Sequence, residues 1–136
     1  MATTFAVDIV SPEGIGYHTE ATFVLARTTG GDIGILAGHT PLIGALKVHP
    51  VTIRTEAGEE VFAVSGGFLE VADSKVTILA TAAERPADID AERAEASRQR
   101  AEKRLAERAE GIDIARAEAS LARARMRLMV KEKYTK

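Results

Sequence analysis

Lys75-Val76-Thr77-Ile78-Leu79-Ala80-Thr81-Ala82-Ala83-Glu84-Arg85-Pro86-Ala87-Asp88-Ile89-Asp90-Ala91-Glu92-Arg93-Ala94 changes its period partway through. Its first residues alternate as a half-buried strand does. Pro86 ends that pattern, and Asp88 or Asp90 follows as a helix cap, with Asp90 and Glu92 set against the positive end of the helix dipole. The two sides of Pro86 differ throughout the chain. Of the 11 glycines, all but Gly111 precede it, and an Ala, Arg and Glu-rich stretch follows it. The division predicts a β unit over 1–85 and a helical unit over 86–136.

Upstream, Phe5, Val7 and Ile9 alternate with Ala6 and Asp8, and Ser11-Pro12-Glu13-Gly14 is turn chemistry. Ala21 to Ala26 reads as a buried strand closed by Thr29-Gly30-Gly31-Asp32. Gly34 to Leu42 is too glycine-rich for a helix and predicts short strands with tight bends. Val51 and Ile53 alternate with Thr52 and Arg54, and Glu56-Ala57-Gly58-Glu59 is hairpin-turn chemistry. Val61–Val64 and Phe68–Val71 flank Ser65-Gly66-Gly67, where a bulge or strand bend is the better account of two glycines. Many short strands with close turns predict an antiparallel β-sandwich or flattened barrel.

Downstream, the first helix is expected to run to about Ala109, with Gly111 supplying the left-handed turn that ends it. Asp113 caps a second helix. There Ile114, Ala117, Leu121, Ala124 and Leu128 recur at 3 and 4, a coiled-coil-like seam. The first helix offers Ala91, Ala94, Ala101 and Leu105, with Arg98 interrupting. The expected product is an antiparallel two-helix hairpin. A buried Leu or Ile contributes roughly 1.5–3 kcal/mol and Ala far less, so so thin a seam holds weakly. Ala and Arg are strong helix formers, so each helix survives detachment well. The hairpin reads as a mobile arm.

With 136 residues and 46% hydrophobic content the chain can bury a core, built from Val, Ile, Leu and Ala because aromatics are only 4%. It has no Cys, which excludes a thiol nucleophile, a disulfide framework and Cys-ligated metal. Three histidines, His18, His39 and His49, show no ligand spacing, so no metal site is expected. The start lacks a leader pattern and no apolar run approaches the ~18 residues of a spanning helix, so a soluble chain is expected, meeting membranes only through partners. Net charge is −2, but it divides into −5 before Pro86 (5 basic, 10 acidic) and +3 from Pro86 onward (13 basic, 10 acidic). Either the helices carry a solvated, salt-bridged surface or they meet an acidic partner or anion. Nucleic acid is a poor fit, because stacking aromatics are absent and the chain is net acidic. No phosphate-loop motif occurs, and Ser65 has no partnered His and Asp in a nucleophile elbow.

Three blocks together resemble the ε subunit of bacterial and chloroplast F-type ATP synthases: Gly31-Asp32-Ile33-Gly34-Ile35-Leu36-Ala37-Gly38-His39-Thr40-Pro41-Leu42, then Ser65-Gly66-Gly67-Phe68-Leu69-Glu70-Val71, then Val76-Thr77-Ile78-Leu79-Ala80 with Ala83-Glu84. Their order and the helices that follow extend the resemblance over essentially the whole chain. It implies a non-catalytic subunit of the rotating central stalk, coupling proton flow to ATP synthesis. It further implies contacts with the γ subunit and the membrane c-ring, at the cytoplasmic face of a bacterial membrane. The C-terminal helices would alternate between a folded form and an extended one that inhibits ATP hydrolysis at the catalytic β subunits.

The resemblance also assigns residues. Ile89-Asp90-Ala91-Glu92-Arg93-Ala94 resembles the I/L-D-x-x-R-A motif by which some bacterial members bind ATP as a regulatory ligand; no obligatory cofactor is implied. Glu84, Arg123 and Arg127 match further positions of that site, and Arg100 matches loosely. Arg116, Arg123 and Arg125 are the expected inhibitory contacts with an acidic surface of the β subunits, and His39 the expected c-ring contact. Without these roles, Asp90 is a helix cap and the arginines form surface pairs. Two other classes stay in view: a stand-alone nucleotide-sensing β-sandwich with a helical lid, and a small β-barrel enzyme, which the lack of an acid/base pair disfavours.

Overall fold

The computed structural model describes residues 3–12, 16–108 and 110–135, and it divides into the units Met1–Glu84 and Arg85–Lys136. Part of the turn expected at 11–14, and the helix end expected at Ala109, lie outside the described residues.

Eight strands are described in the first unit: β1 Phe5–Val10, β2 Tyr17–Ala21, β3 Phe23–Thr28, β4 Gly31–Ile35, β5 Leu42–Thr55, β6 Gly58–Ala72, β7 Lys75–Ala80 and β8 Ala83–Glu84. They form a β-sandwich from one continuous sheet of order β2-β1-β7-β6-β5-β3-β4, with β8 added on β6. The pairs are antiparallel except β1 with β7, which run parallel. The sheet curls until edge strand β2 meets β6: the Tyr17 and Phe62 rings lie 4.8 Å apart. Val7, Val24, Ile53, Val64, Leu69 and Ile78 fill the closed space.

Two strand expectations are corrected. The short strands read on either side of Ser65-Gly66-Gly67 are one 15-residue strand, β6. Gly66 (φ +84°) and Gly67 (φ +137°) bend it without ending it, while β5 follows alongside for 14 residues. A Cβ on Gly67 would lie 2.1 Å from the Leu79 carbonyl oxygen, so only glycine allows β7 to approach. The strand read at Ala21–Ala26 breaks at Thr22, whose N–H and hydroxyl both bond the Arg54 carbonyl. Beyond it β3 alternates, with Val24 and Ala26 inside and Leu25 outside, because only one face of the sheet meets the core.

In the second unit a 3₁₀ turn, Pro86–Asp88, precedes α1 (Ala91–Glu107) and α2 (Ile114–Tyr134). Asp90 and Asp113 cap the helices, accepting from the N–H of Arg93 and of Arg116 at 3.0 Å each. The left-handed residue ending α1 is Arg108 (φ +43°) and not Gly111, which adopts φ +88° further along the turn. The helices run antiparallel, with Arg125 at 3.4 Å from Glu102 and Lys131 Nζ at 3.2 Å from the Ala87 carbonyl.

The expected seam is corrected as well. Ala94, Ala101, Ala117 and Ala124 are buried, but Leu105, Leu121 and Leu128 are only half-buried and Ile114 is exposed. Alanines fill the seam, and the longer side chains stand at its margin. The α2 helix also buries Met126 and Val130, on the far side from Ala117 and Ala124 at 100° per residue. Arg98, read as a gap in the seam, is held at its edge by Glu95 and Glu102.

Candidate functional site

The α1 start gathers the first group of expected residues. Ile89 is buried behind the 3₁₀ turn, and its N–H bonds the Pro86 carbonyl. Asp90 is exposed, and its Oδ1 accepts from the Arg93 N–H. Arg93 is exposed one turn on, and Ala94 is buried beneath it. Glu84 belongs to the first unit, where it ends β8 opposite Ala63.

The α2 cations divide between two flanks. Arg116, Arg123, Arg127 and Lys131 follow one another with Ser120 at steps of four and three, so they form one stripe. Arg123 donates to Ser120 Oγ at 3.1 Å. Lys131, not among the expected site residues, closes the stripe on the Ala87 carbonyl, three residues before Asp90. The C-terminal half of α2 packs on the 3₁₀ turn, so the Arg127–Lys131 end of the stripe lies at the α1 start. A helix N-terminus and a run of cations can together meet an anion, while the Asp90 carboxylate can only accept from a donor group elsewhere on the same ligand. Arg125 is not part of this stripe. It lies on the other flank, against Glu102. The i, i+4 spacing of Arg127 and Lys131 was the signal that Lys131 belonged with the rest.

In the sandwich, His39 is half-buried after β4; its N–H bonds the Leu36 carbonyl and Nδ1–H donates to the Thr40 carbonyl at 2.7 Å. Across the outer face of the sheet runs an apolar row that sequence reasoning missed. Ala45 pairs with Phe68, Phe68 with Leu79, and Leu79 with Val10, so four adjacent strands contribute one side chain each. Phe68 is 57% exposed, Leu79 51% and Val10 46%, and Ile43, two residues from Ala45, is 72% exposed. Its signal was Phe68 itself, an aromatic in phase with Glu70 on the solvent side of an alternating strand. Large apolar groups that stay on the wet face mark a partner surface.

Part of the charge elsewhere on the sandwich is locally paired. Lys75 and His18 hold the Asp8 carboxyl below the ordinary carboxylate range, and Arg27 does the same to Asp32. On α1 the Arg98 guanidinium lowers Glu95. Among the described residues no His/Asp/Glu group has the arrangement of a metal site, and no helix is long and apolar enough to cross a membrane.

Comparison with known proteins covers both units. Residues 4–86 match the family model described as "ATP synthase, Delta/Epsilon chain, beta-sandwich domain", and residues 87–132 match "ATP synthase, Delta/Epsilon chain, long alpha-helix domain". Similar proteins named "ATP synthase epsilon chain" include that of Brevibacillus brevis, 56% identical over 100 residues (73% of this chain, 76% of that one). That of Bacillus subtilis is 49% identical over 102 residues (75% and 77%), and that of Streptomyces avermitilis 50% over 102 residues (74% and 82%). Among solved structures, a chain of the Euglena gracilis mitochondrial ATP synthase superposes with TM-score 0.78 at 22% identity, covering 93% of this chain and 80% of that one. A chain of the Tetrahymena thermophila central stalk and c-ring superposes with TM-score 0.57 at 15% identity, covering 99% and 98%. At those identities the likeness is one of fold.

Proposed function

The chain belongs to the ATP synthase delta/epsilon family, as a non-catalytic subunit, and on that premise we propose that it is a rotor subunit of the central stalk, with a sandwich that docks and a hairpin that regulates. The observation that carries the reading is the row Ala45–Phe68–Leu79–Val10 on the outer face of the sheet. Buried on association, it contributes at about 25 cal/mol per Å². Its occupant in this reading is the γ subunit, and the turn carrying His39 approaches the c-ring. The chain then sits at the cytoplasmic face of the bacterial membrane, attached through the complex that moves protons.

The hairpin is the proposed regulatory arm. ATP bound to the folded form would use Asp90 and Arg93 with Ile89 and Ala94 at the α1 start, and Arg123 and Arg127 on the stripe. What supports this grouping is the Lys131–Ala87 bond, which holds the basic end of α2 at the α1 start. In the extended form Arg116, Arg123 and Arg125 would meet an acidic surface of the catalytic β subunits and slow ATP hydrolysis. The experiment is co-purification with γ together with calorimetric titration of ATP into the isolated chain. A fixed 1:1 complex with γ is expected, and ATP binding that competes with extension. Nucleotide binding without γ binding would favour the stand-alone sensing module.

A further inference from the structure

Residues 89–105 and 112–128 are one helix written twice. At a shift of 23 they agree in eleven of seventeen positions, including the Ile-Asp start, the Arg-Ala-Glu-Ala-Ser run and the Arg-Leu end. The structure repeats with them. Asp90 and Asp113 share φ −82° and ψ 99°. Arg100 reaches Ser97, and Arg123 reaches Ser120, each at 3.1 Å. The same two alanines of each copy are buried.

Two copies of one helix packed antiparallel are related by an approximate two-fold axis. At that axis a residue meets its own counterpart. The counterpart of Glu102 is Arg125, and the two are 3.4 Å apart. An interface of this kind is self-complementary. The face that α1 offers α2 is therefore equally offered to the α2 of another molecule.

We infer that the hairpin opens at its turn and exchanges with a second copy of this chain, α1 of each packing on α2 of the other. The turn favours this, since Arg108 and Gly111 both hold left-handed backbone, and Arg108 is relieved if the helix runs on. The charges at the axis select the pairing. Like helices would set Glu102 against Glu102 or Arg125 against Arg125, whereas exchange preserves the opposite pair. This inference is independent of the rotor reading.

Gly111→Ala tests it in the full chain. A Cβ there meets nothing within 4 Å, so the substitution acts through backbone preference alone. Penalising the left-handed turn and improving a continuous helix shifts each chain toward the open form by roughly 30-fold. Sedimentation should then show a species of twice the 14.5 kDa chain mass growing with concentration. Mixing chains carrying E102R with chains carrying R125E, both in the Gly111→Ala background and with Gly111 intact, tests the pairing. Each chain alone sets like charges at the axis; exchange between the two restores opposite charges at both junctions. Native mass spectrometry should find mixed dimers above the statistical half, with helical content by circular dichroism no lower than that of the closed hairpin and raised by at most the turn residues. Chains that stay monomeric at millimolar concentration in both backgrounds overturn the inference. So do mixed dimers at or below half.

Discussion

Arg125 rests 3.4 Å from Glu102 on the flank of the hairpin opposite the Arg116–Arg123–Arg127–Lys131 stripe. A cation proposed to reach an acidic partner is thus already held by a carboxylate of its own chain, and the two uses of Arg125 exclude one another.

This exclusion gives substitutions of opposite sign. Glu102→Gln frees Arg125 and should deepen inhibition of ATP hydrolysis in the assembled enzyme. Arg125→Ala removes the cation and should relieve it. An exposed pair contributes about 0.2–1 kcal/mol, so each shift should be no more than about fivefold, shrinking as salt rises. Steady-state hydrolysis rates at two ionic strengths provide the check; changes of the same sign would separate Arg125 from the inhibitory contact.

Phe68→Asp should abolish tight association with γ while the sandwich keeps its melting temperature within a few degrees. The side chain is mostly outside, so little core is lost, but a charge in the centre of an apolar row costs at least about 2 kcal/mol of binding, or ~30-fold. Pull-down and thermal melting of the same preparation decide it. Undiminished binding would move the γ surface elsewhere.

Gly67→Ala should destabilise the sandwich by roughly 2–5 kcal/mol, from the backbone preference at φ +137° and the clash with Leu79. Denaturant unfolding of the variant beside wild type measures it. A loss below 1 kcal/mol would mean that β7 can retreat.

Asp90→Ala should weaken ATP binding and shorten α1 by its cap. Loss of the cap alone costs about 1 kcal/mol of helix stability. Calorimetry separates the roles: equal ATP affinity in the two chains would leave Asp90 as a cap only.

Acid should loosen α1 through Glu95. Arg98 lowers its folded-state pKa, so the stabilisation is complete above the unfolded carboxylate value and is lost as pH falls through the lower folded one. Helicity of the hairpin should therefore hold from neutrality to about pH 4 and decline below it, with Arg98→Ala flattening the curve. Circular dichroism against pH supplies the measurement.

Much of the architecture was legible because local chemistry announces it. Pro86 cannot continue a strand ladder, and Asp90 and Asp113 are in place to accept the orphan N–H groups of a helix start. The Gly66–Gly67 bend was legible too. That β6 continues through it was not, because the partner strand that carries it, β5, is a tertiary fact. The single-seam reading of α2 failed for a related reason: periodicity gives faces, and nothing local says how many of them are covered. Met126 and Val130, four apart, were the trace of the second. The outer apolar row was hidden because each member is separated in sequence, and only register brings Val10, Leu79, Phe68 and Ala45 into line.

The parallel pairing of β1 with β7 sets the order in which a ribosome can deliver this fold. Ala6 lies opposite Lys75, so the N-terminal strand has no neighbour on that side until some seventy further residues have emerged. At 5–20 residues per second that wait is roughly 4–14 s, during which β1 has β2 alone as a ladder partner. The hairpin, built from near-neighbour contacts, needs no such delay once α2 has left the tunnel. Of the two units the faster-folding one is made second, and the nascent sandwich is the stage at which a chaperone has something to hold.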